Sequence, residues 1–555
     1  MSAETAWRRR PLCRVAGSAL AGIFLLGAAA APIAAPAGGG TPWTSADVAA
    51  LRADIDAMLS NAPALRGAHY GVYAVDTASG AVLYARGGDA EIQPASTFKL
   101  VVGSAALDRL GPQFRFRTTL SLARSRSAES PEPSALPLAP TNSPSPAAAG
   151  APSALPAPPG PWPPSLLLTF GGDPTFSRGD LVSAAAALTG FAMRDEVYLD
   201  DSAFDLTPYP DGWTWDDFGQ DYAPRVSAAT LDENVVDVSV APGRDVGEAA
   251  VISFKDGHPF GVPPAGTPDC EHLPLDFVRS RAKTGAQGSD DTIDVAPFLR
   301  GCAQITGSIP YGAEAETLGI AMPDPLGTIA AIFDQDLFAR GIGAIVQAHL
   351  VTPDSPDFFA PRPNLKALVV DPPIWTHDSQ SLGELIGPRF WIPSDNVFGE
   401  LLLKELGLVT GGKPGSTEKG IAYERTWLKT LGVDLSTVTF ADACGMSQYD
   451  RITPRDLVTI LQHDWNGPNH QLVLDSLPIG GSRGTIEGIA GTPAAGRVFA
   501  KTGSMMHVRG LAGYLATMQH GAVTFAFNVD DWNGEYPALA ALRAHVLSRI
   551  VSDGS

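Results

Sequence analysis

Only 4 of the 555 residues are cysteine, and Lys and Arg together number 39 against 59 Asp and Glu. The shortage of base leaves a formal net charge of −20. That argues against a nucleic acid partner, because gripping a polyanion rests on Lys and Arg neutralising phosphates. The 10 histidines show no metal-ligand spacing such as His-Glu-x-x-His, so the sequence points to no metal and no cofactor. No internal repeat is present. Of the cysteines, Cys13 falls in the N-terminal segment and Cys444 stands alone. Cys270 and Cys302 flank one segment and are placed to pair in an oxidising compartment.

What is there reads as an exported globular protein. Residues 1–37 look like a signal peptide: Arg8-Arg9-Arg10, then an apolar stretch from Val15 to Ala31, then the small-x-small site Ala35-Pro36-Ala37. The apolar stretch is short of the roughly 20 residues a bilayer span needs, and an uncleaved N-terminal anchor is the alternative reading. Either way the chain is expected to work outside the cytoplasm, in the periplasm or beyond it. A composition of 45% hydrophobic and 18% charged residues suits a globular protein. The length predicts several domains, at about 150 residues each.

The stretch around Ser96 organises the rest. A serine hydroxyl is a poor nucleophile at neutral pH and needs a base within hydrogen-bond reach. Lys99 follows three residues on, one helical turn away on the same face. Leu100, Val101, Ala105, Leu107 and Leu110 give the apolar stripe of a helix that Gly111-Pro112 stops. Ser96 is expected in the first turn of that helix, where backbone N–H groups favour developing negative charge. Ser-x-x-Lys also occurs at Ser280/Lys283 and Ser416/Lys419, but neither opens an apolar-periodic segment. Two further motifs follow in order. Ser394-Asp395-Asn396 is the chain's single Ser-x-Asn and is expected to start a helix with Ser394 as a candidate N-cap. Lys501-Thr502-Gly503 follows Val498-Phe499-Ala500 and precedes an apolar run from Val508 to Leu515.

Around these motifs the chain reads as an α+β protein. A helix is expected over 43–59, a hairpin over 70–85 and a strand over 114–122. Residues 125–165 are dominated by Pro, Ala and Ser and read as a disordered or extended tract. Strands are expected at 197–199, 235–240 and 344–351, with a helix over 324–343. Later come a helix at 454–463, a hairpin over 511–529 and a closing helix over 538–551. Trp213, Trp215, Asp216, Asp217 and Tyr222 form a cluster that reads either as core aromatics with solvated acids or as a rim recognising a cationic substrate group. The boundaries expected are 41–115 and 385–555 for the two parts of the catalytic domain, and 116–384 for the insertion between the first and second motifs.

The set of motifs resembles class C low-molecular-mass penicillin-binding proteins, the D-alanyl-D-alanine carboxypeptidase/endopeptidases of peptidase family S13. Gly171-Gly172-Asp173-Pro174, Asp200 to Phe204, Asp232 to Val236 and Thr306 to Pro310 resemble that family's inserted regions. Leu477 to Thr485 and Lys501 to Tyr514 resemble its C-terminal half. The resemblance implies a serine-transpeptidase/β-lactamase-like catalytic domain with two β-rich domains inserted between the first and second motifs. It implies Ser96 as nucleophile, Lys99 as base, Ser394 as proton relay, Asn396 as holder of the substrate amide and Lys501 as a source of field. Thr502, Gly503 and Ser504 would bind the substrate. The partners implied are peptidoglycan stem peptides, with β-lactams as inhibitors. Asp216 and Asp217 are candidates for contacting the free amine of a diaminopimelate stem. The loop Asp442-Ala443-Cys444-Gly445-Met446-Ser447 and the bulky Met505-Met506-His507 depart from the family pattern and put side-chain specificity in doubt. A β-lactamase shares the three motifs, and a non-catalytic peptidoglycan-binding or scaffold protein is the other reading carried.

Overall fold

The computed structural model describes residues 39–125, 165–190, 197–255, 260–262, 270, 274–299, 301–342, 348–351 and 368–552. The signal segment with Cys13, and all but the two ends of the Pro/Ala/Ser-rich tract, lie outside the described residues. Among those described, no helix is long and apolar enough to cross a membrane.

The two ends of the described chain share one five-stranded antiparallel sheet. Helix α1 (Ser45–Ser60) opens it, with the side chains of Thr44 and Asp47 capping each other's backbone N–H. Leu51, Ile55 and Leu59, spaced by one turn, are its buried stripe. Strands β1 (His69–Asp76) and β2 (Val82–Arg86) form the expected hairpin. Helix α2 (Lys99–Arg109) follows, ending at Leu110 before Gly111 at φ 82°.

After the insertion, the chain returns through α3 (Asn396–Gly411), α4 (Thr417–Thr430) and α5 (Pro454–Asn466). Strands β3 (Val498–Met505), β4 (Val508–Ala516) and β5 (Ala522–Asp530) then join the hairpin in the order β3-β4-β5-β1-β2. Helix α6 (Tyr536–Val551) closes the chain. One core packs α2, α3, α4 and α5 on one face of the sheet. A second packs α1 and α6 on the other. The turn that holds Ser96 and the third motif, distant in sequence, thereby meet at the β3 edge of one sheet.

The insertion carries a six-stranded mixed sheet and three small sheets. The expected strand over 114–122 begins at Arg117 instead and runs to Ser125. Its far end pairs with Ser165–Thr169, Ala123 opposite Ser165, so the two ends of the Pro/Ala/Ser-rich tract are strand. Helices Arg178–Ala186 and Pro325–Ala339 pack on each other. One hydrophobic core runs through both helices, the mixed sheet and the smaller sheets. Cys270 and Cys302 are joined in a disulfide, and Cys444 is free and buried.

Candidate active site

Ser96 lies in a 3₁₀ turn, Ala95–Phe98, and Lys99 is the first residue of α2. This corrects the expectation that Ser96 sits inside the α-helix. Residues i and i+3 eclipse in a 3₁₀ turn, which brings Lys99 over Ser96. Lys99 Nζ donates to Ser96 Oγ at 2.8 Å, to Asn396 Oδ1 at 2.5 Å and to the Cys444 carbonyl at 3.0 Å. Its side chain is fully buried. Burial holds the ammonium below the usual lysine range, with Cys444, Asp442, Asp395 and Glu400 pulling the other way.

The second motif splits its work differently from the expectation. The N-cap of α3 is Asp395, whose carboxylate accepts from Phe398 N at 2.6 Å. Ser394 stands outside the helix at φ 66°, in the left-handed region. Its hydroxyl is left to accept from Lys501 Nζ at 2.8 Å. Lys501 is fully buried, and burial, reinforced by Lys99, pulls its ammonium well below the usual range. Asn396 offers Oδ1 to Lys99, while its Nδ2 donates to the Tyr222 carbonyl at 2.7 Å. Those two partners fix which way the amide points.

The third motif lies on β3 at the sheet's edge. Gly503 and Gly510 stand opposite each other on β3 and β4, and both touch the turn that holds Ser96. A Cβ at Gly503 would lie 2.6 Å from the Pro94 carbonyl, and one at Gly510 would lie 2.7 Å from Thr97 Cγ2. Thr502 Oγ1 and Thr485 Oγ1 are 2.5 Å apart, and Ser504 is exposed.

The motif search missed a set of buried carboxylates. Glu400 Oε1 accepts from Ala443 N and Cys444 N, both at 2.9 Å. Asp442 accepts from Gly445 N and Ser447 N at 2.7 Å and from Trp213 Nε1 at 2.8 Å. Together they pin the loop whose Cys444 carbonyl holds Lys99. Glu400 lies one helical turn past Asn396, and an acid amid the apolar residues of α3 was the available signal.

The aromatic and acidic cluster divides. Trp213 is buried against that loop with Cys444, while Trp215 is 72% exposed. Asp217 accepts from Thr214 Oγ1 at 2.5 Å and from the OH of Tyr222 at 2.9 Å, the residue whose carbonyl accepts from Asn396. Asp216 shares its short helix, Trp215–Asp217. The decoy motifs have other roles. Ser280 and Lys283 fall on two short strands of the insertion, and Ser416 caps α4.

The profile of the D-Ala-D-Ala carboxypeptidase 3 (S13) family matches residues 51–130 and 163–546. A D-alanyl-D-alanine carboxypeptidase of Actinomadura sp. (strain R39) is 30% identical over 505 residues, covering 88% of this chain and 82% of that protein. The D-alanyl-D-alanine carboxypeptidase DacB of Haemophilus influenzae is 22% identical over 375 residues, covering 66% of this chain and 72% of its own length. The crystal structure of penicillin-binding protein 4 from Haemophilus influenzae superposes with a TM-score of 0.69 at 20% identity, covering 89% of this chain and 98% of that one. The likeness in structure shows the same fold.

Proposed function

The chain belongs to the D-Ala-D-Ala carboxypeptidase 3 (S13) family, and on that premise we propose how its site cleaves a D-Ala-D-X bond of a peptidoglycan stem peptide. The enzyme is a serine-type carboxypeptidase/endopeptidase. The observation that carries the assignment of roles is Lys99 Nζ, fully buried and 2.8 Å from Ser96 Oγ.

An amine accepts a proton only when neutral, and burial favours the neutral form of Lys99. Lys99 takes the Ser96 proton as Oγ attacks the scissile carbonyl. The backbone N–H groups of Ser96 and Ser504 receive the oxyanion; one such donor is worth about 3 kcal/mol of barrier. Ser394, held by Lys501, relays a proton to the leaving amine, and the C–N bond breaks to leave an ester on Ser96. Asn396 holds the substrate amide, and Thr502 and Ser504 hold the terminal carboxylate. Gly503 lets β3 lie close against the nucleophile turn. Water attacks the ester, releasing the shortened peptide and returning the proton to Ser96. A β-lactam acylates Ser96 by the same attack, but its opened ring stays attached, so it inhibits.

Asp216 and Asp217 are read as contacts for the free amine of a diaminopimelate stem; for Asp217 the support is Tyr222, which bonds to both Asp217 and Asn396, and Asp216 shares its short helix. Unchanged turnover of diaminopimelate peptides by Asp216→Ala and Asp217→Ala would remove that role. Action on peptidoglycan places the mature chain outside the cytoplasm, in keeping with the signal-like N-terminus.

Mature protein incubated with a fluorescent penicillin and with a D-Ala-D-Ala-ended peptide, beside Ser96→Ala, tests the assignment. Stable label and D-alanine release that both vanish in the variant are expected. Rapid penicillin hydrolysis without peptide cleavage would make it a β-lactamase. A folded protein that neither labels nor cleaves would leave a binding role.

A further inference from the structure

Behind the third motif, α6 packs against the sheet and leaves a small cleft between them. Thr485, Thr502, Leu511, Tyr536 and Arg543 are among the residues that line it. Its volume is about 30 Å³, room for one water-sized body and too little for a ligand of its own. Thr502 and Arg543 both line it.

Arg543 is the unusual member. It is buried among the residues of the α1/α6 core, with its guanidinium over the Phe527 ring at 5.2 Å. Nη2 donates to the Arg509 carbonyl at 2.7 Å and to the Phe527 carbonyl at 3.1 Å. Nε has no partner, and Arg543 makes no ion pair with any described residue. The contact with Arg509 fixes where this charge sits. Arg509 stands directly opposite Ser504 in the β3–β4 ladder, and Leu511, a neighbour in the cleft wall, stands opposite Thr502. The guanidinium is therefore anchored one strand from the two residues assigned to the substrate carboxylate. Burial pulls its pKa to about 10, with Tyr536 opposing and Arg509 adding to the fall, so it is cationic at neutral pH. A buried, unpaired cation is costly unless an anion completes it. The chain's net charge of −20 also makes it a poor host for an anionic peptide end unless a local cation offsets the field.

We propose that Arg543 is the counter-charge for the terminal carboxylate of the substrate, acting across the cleft behind the Thr485–Thr502 hydroxyl pair and making the site selective for acid-ended peptides. Arg543 is a positioning residue in this scheme, since Thr502 and Ser504 make the contact. The inference rests on the assignment of the carboxylate to Thr502 given above.

The test compares a stem peptide ending in D-Ala-D-Ala acid with the same peptide as its amide. Calorimetric binding is measured on Ser96→Ala protein, so recognition is read apart from chemistry. The background carrying Arg543 is expected to prefer the acid, and Arg543→Met to lose that preference by roughly tenfold or more while binding the amide unchanged. Arg543→Lys should restore part of it. If Arg543→Met fails to fold, Thr485→Val in the same background should weaken the preference in the same direction. Equal binding of acid and amide with Arg543 present, or equal weakening of both in the variants, overturns the proposal. Turnover with Ser96 intact is read separately. Acid preference without any D-alanine release sinks the peptidase assignment and leaves Arg543 standing.

Discussion

Lys501 Nζ donates to Ser394 Oγ across 2.8 Å, although the two residues are 107 positions apart. The bond exists because Asp395 caps α3, leaving Ser394 outside the helix at φ 66°. A glycine would relieve that backbone but remove the hydroxyl. Ser394→Gly is expected to be no less stable than wild type, yet to acylate with penicillin roughly a hundredfold more slowly or worse, the scale of a lost proton relay. Stopped-flow acylation beside thermal unfolding checks it. Wild-type acylation in Ser394→Gly would dismiss the relay.

Glu400 is expected to matter to catalysis without touching substrate. Its one oxygen holds the N–H groups of Ala443 and Cys444, and Cys444 holds Lys99. Glu400→Leu leaves two buried N–H groups without a partner, at about 1–3 kcal/mol for an unsatisfied buried group. It should lower kcat/KM for peptide release roughly tenfold, a typical cost of one misplaced hydrogen bond. Glu400→Gln keeps an acceptor oxygen and should recover most of the activity. A folded Glu400→Leu with wild-type kcat/KM would reduce Glu400 to a purely structural acid.

The three motifs could be read from the sequence because each is a local pattern, and the structure brings Ser96, Lys99, Ser394, Asn396 and Lys501 together. Leu51, Ile55 and Leu59 announce α1 by spacing alone, and the strand alternation around residues 71–85 announces a hairpin. Ser394 reads as a candidate N-cap because serine caps helices well, but the bond from Phe398 N gives the cap to Asp395 and leaves Ser394 to Lys501. Glu400 and Arg543 were not legible, and Tyr222 reads only as one of an aromatic cluster. Glu400 and Tyr222 reach the motif residues through backbone groups distant in sequence, and no spacing rule encodes that. The aromatic cluster needed the structure for the same reason. Trp213 and Trp215 are two residues apart and alike in type, yet Asp442 draws one inward and the other faces solvent.

Gly503 is set by contact with the turn that holds Ser96. Its added Cβ would lie 2.6 Å from the Pro94 carbonyl and 3.0 Å from both Ser96 N and Thr97 N. All three are backbone atoms, so no side chain can swing aside. Gly503→Ala should push β3 off the turn and displace Ser96 from Lys99 and from Ser504 N together. Misplacement of about 1 Å typically costs about a hundredfold in rate. Acylation by penicillin and turnover of peptide are therefore expected to fall together in Gly503→Ala. Retained acylation with an intact sheet, read by crystallography, would show that the strand accommodates a methyl group.

The insertion has its own electrostatic clasp, and it sets a pH dependence. His377 Nε2 lies 3.1 Å from Asp173 Oδ2, and Nδ1 lies 3.2 Å from Asp180 Oδ1. Two carboxylates on one imidazole favour the doubly protonated ring, which donates from both nitrogens. The hydrogen bonds to Asp173 and Asp180 raise the His377 pKa from 6.5 to about 10 against the pull of burial. For Asp180, burial opposes the shift, but His377 and Ser177 still bring it down to about 2. A histidine with a raised pKa in the folded state binds its proton more tightly there than when unfolded. Its contribution is fully present below pH 6.5 and is lost as pH rises through about 10. The Asp180 contribution is present above pH 3.8 and is lost as pH falls through about 2. Differential scanning calorimetry should therefore show the wild-type Tm falling more steeply than that of His377→Gln between pH 6.5 and 10. At pH 6 the variant should be the less stable of the two, and at pH above 10 the gap should narrow. Parallel Tm curves across that window would mean that His377 is neutral in the folded protein and that the clasp is held by hydrogen bonds alone.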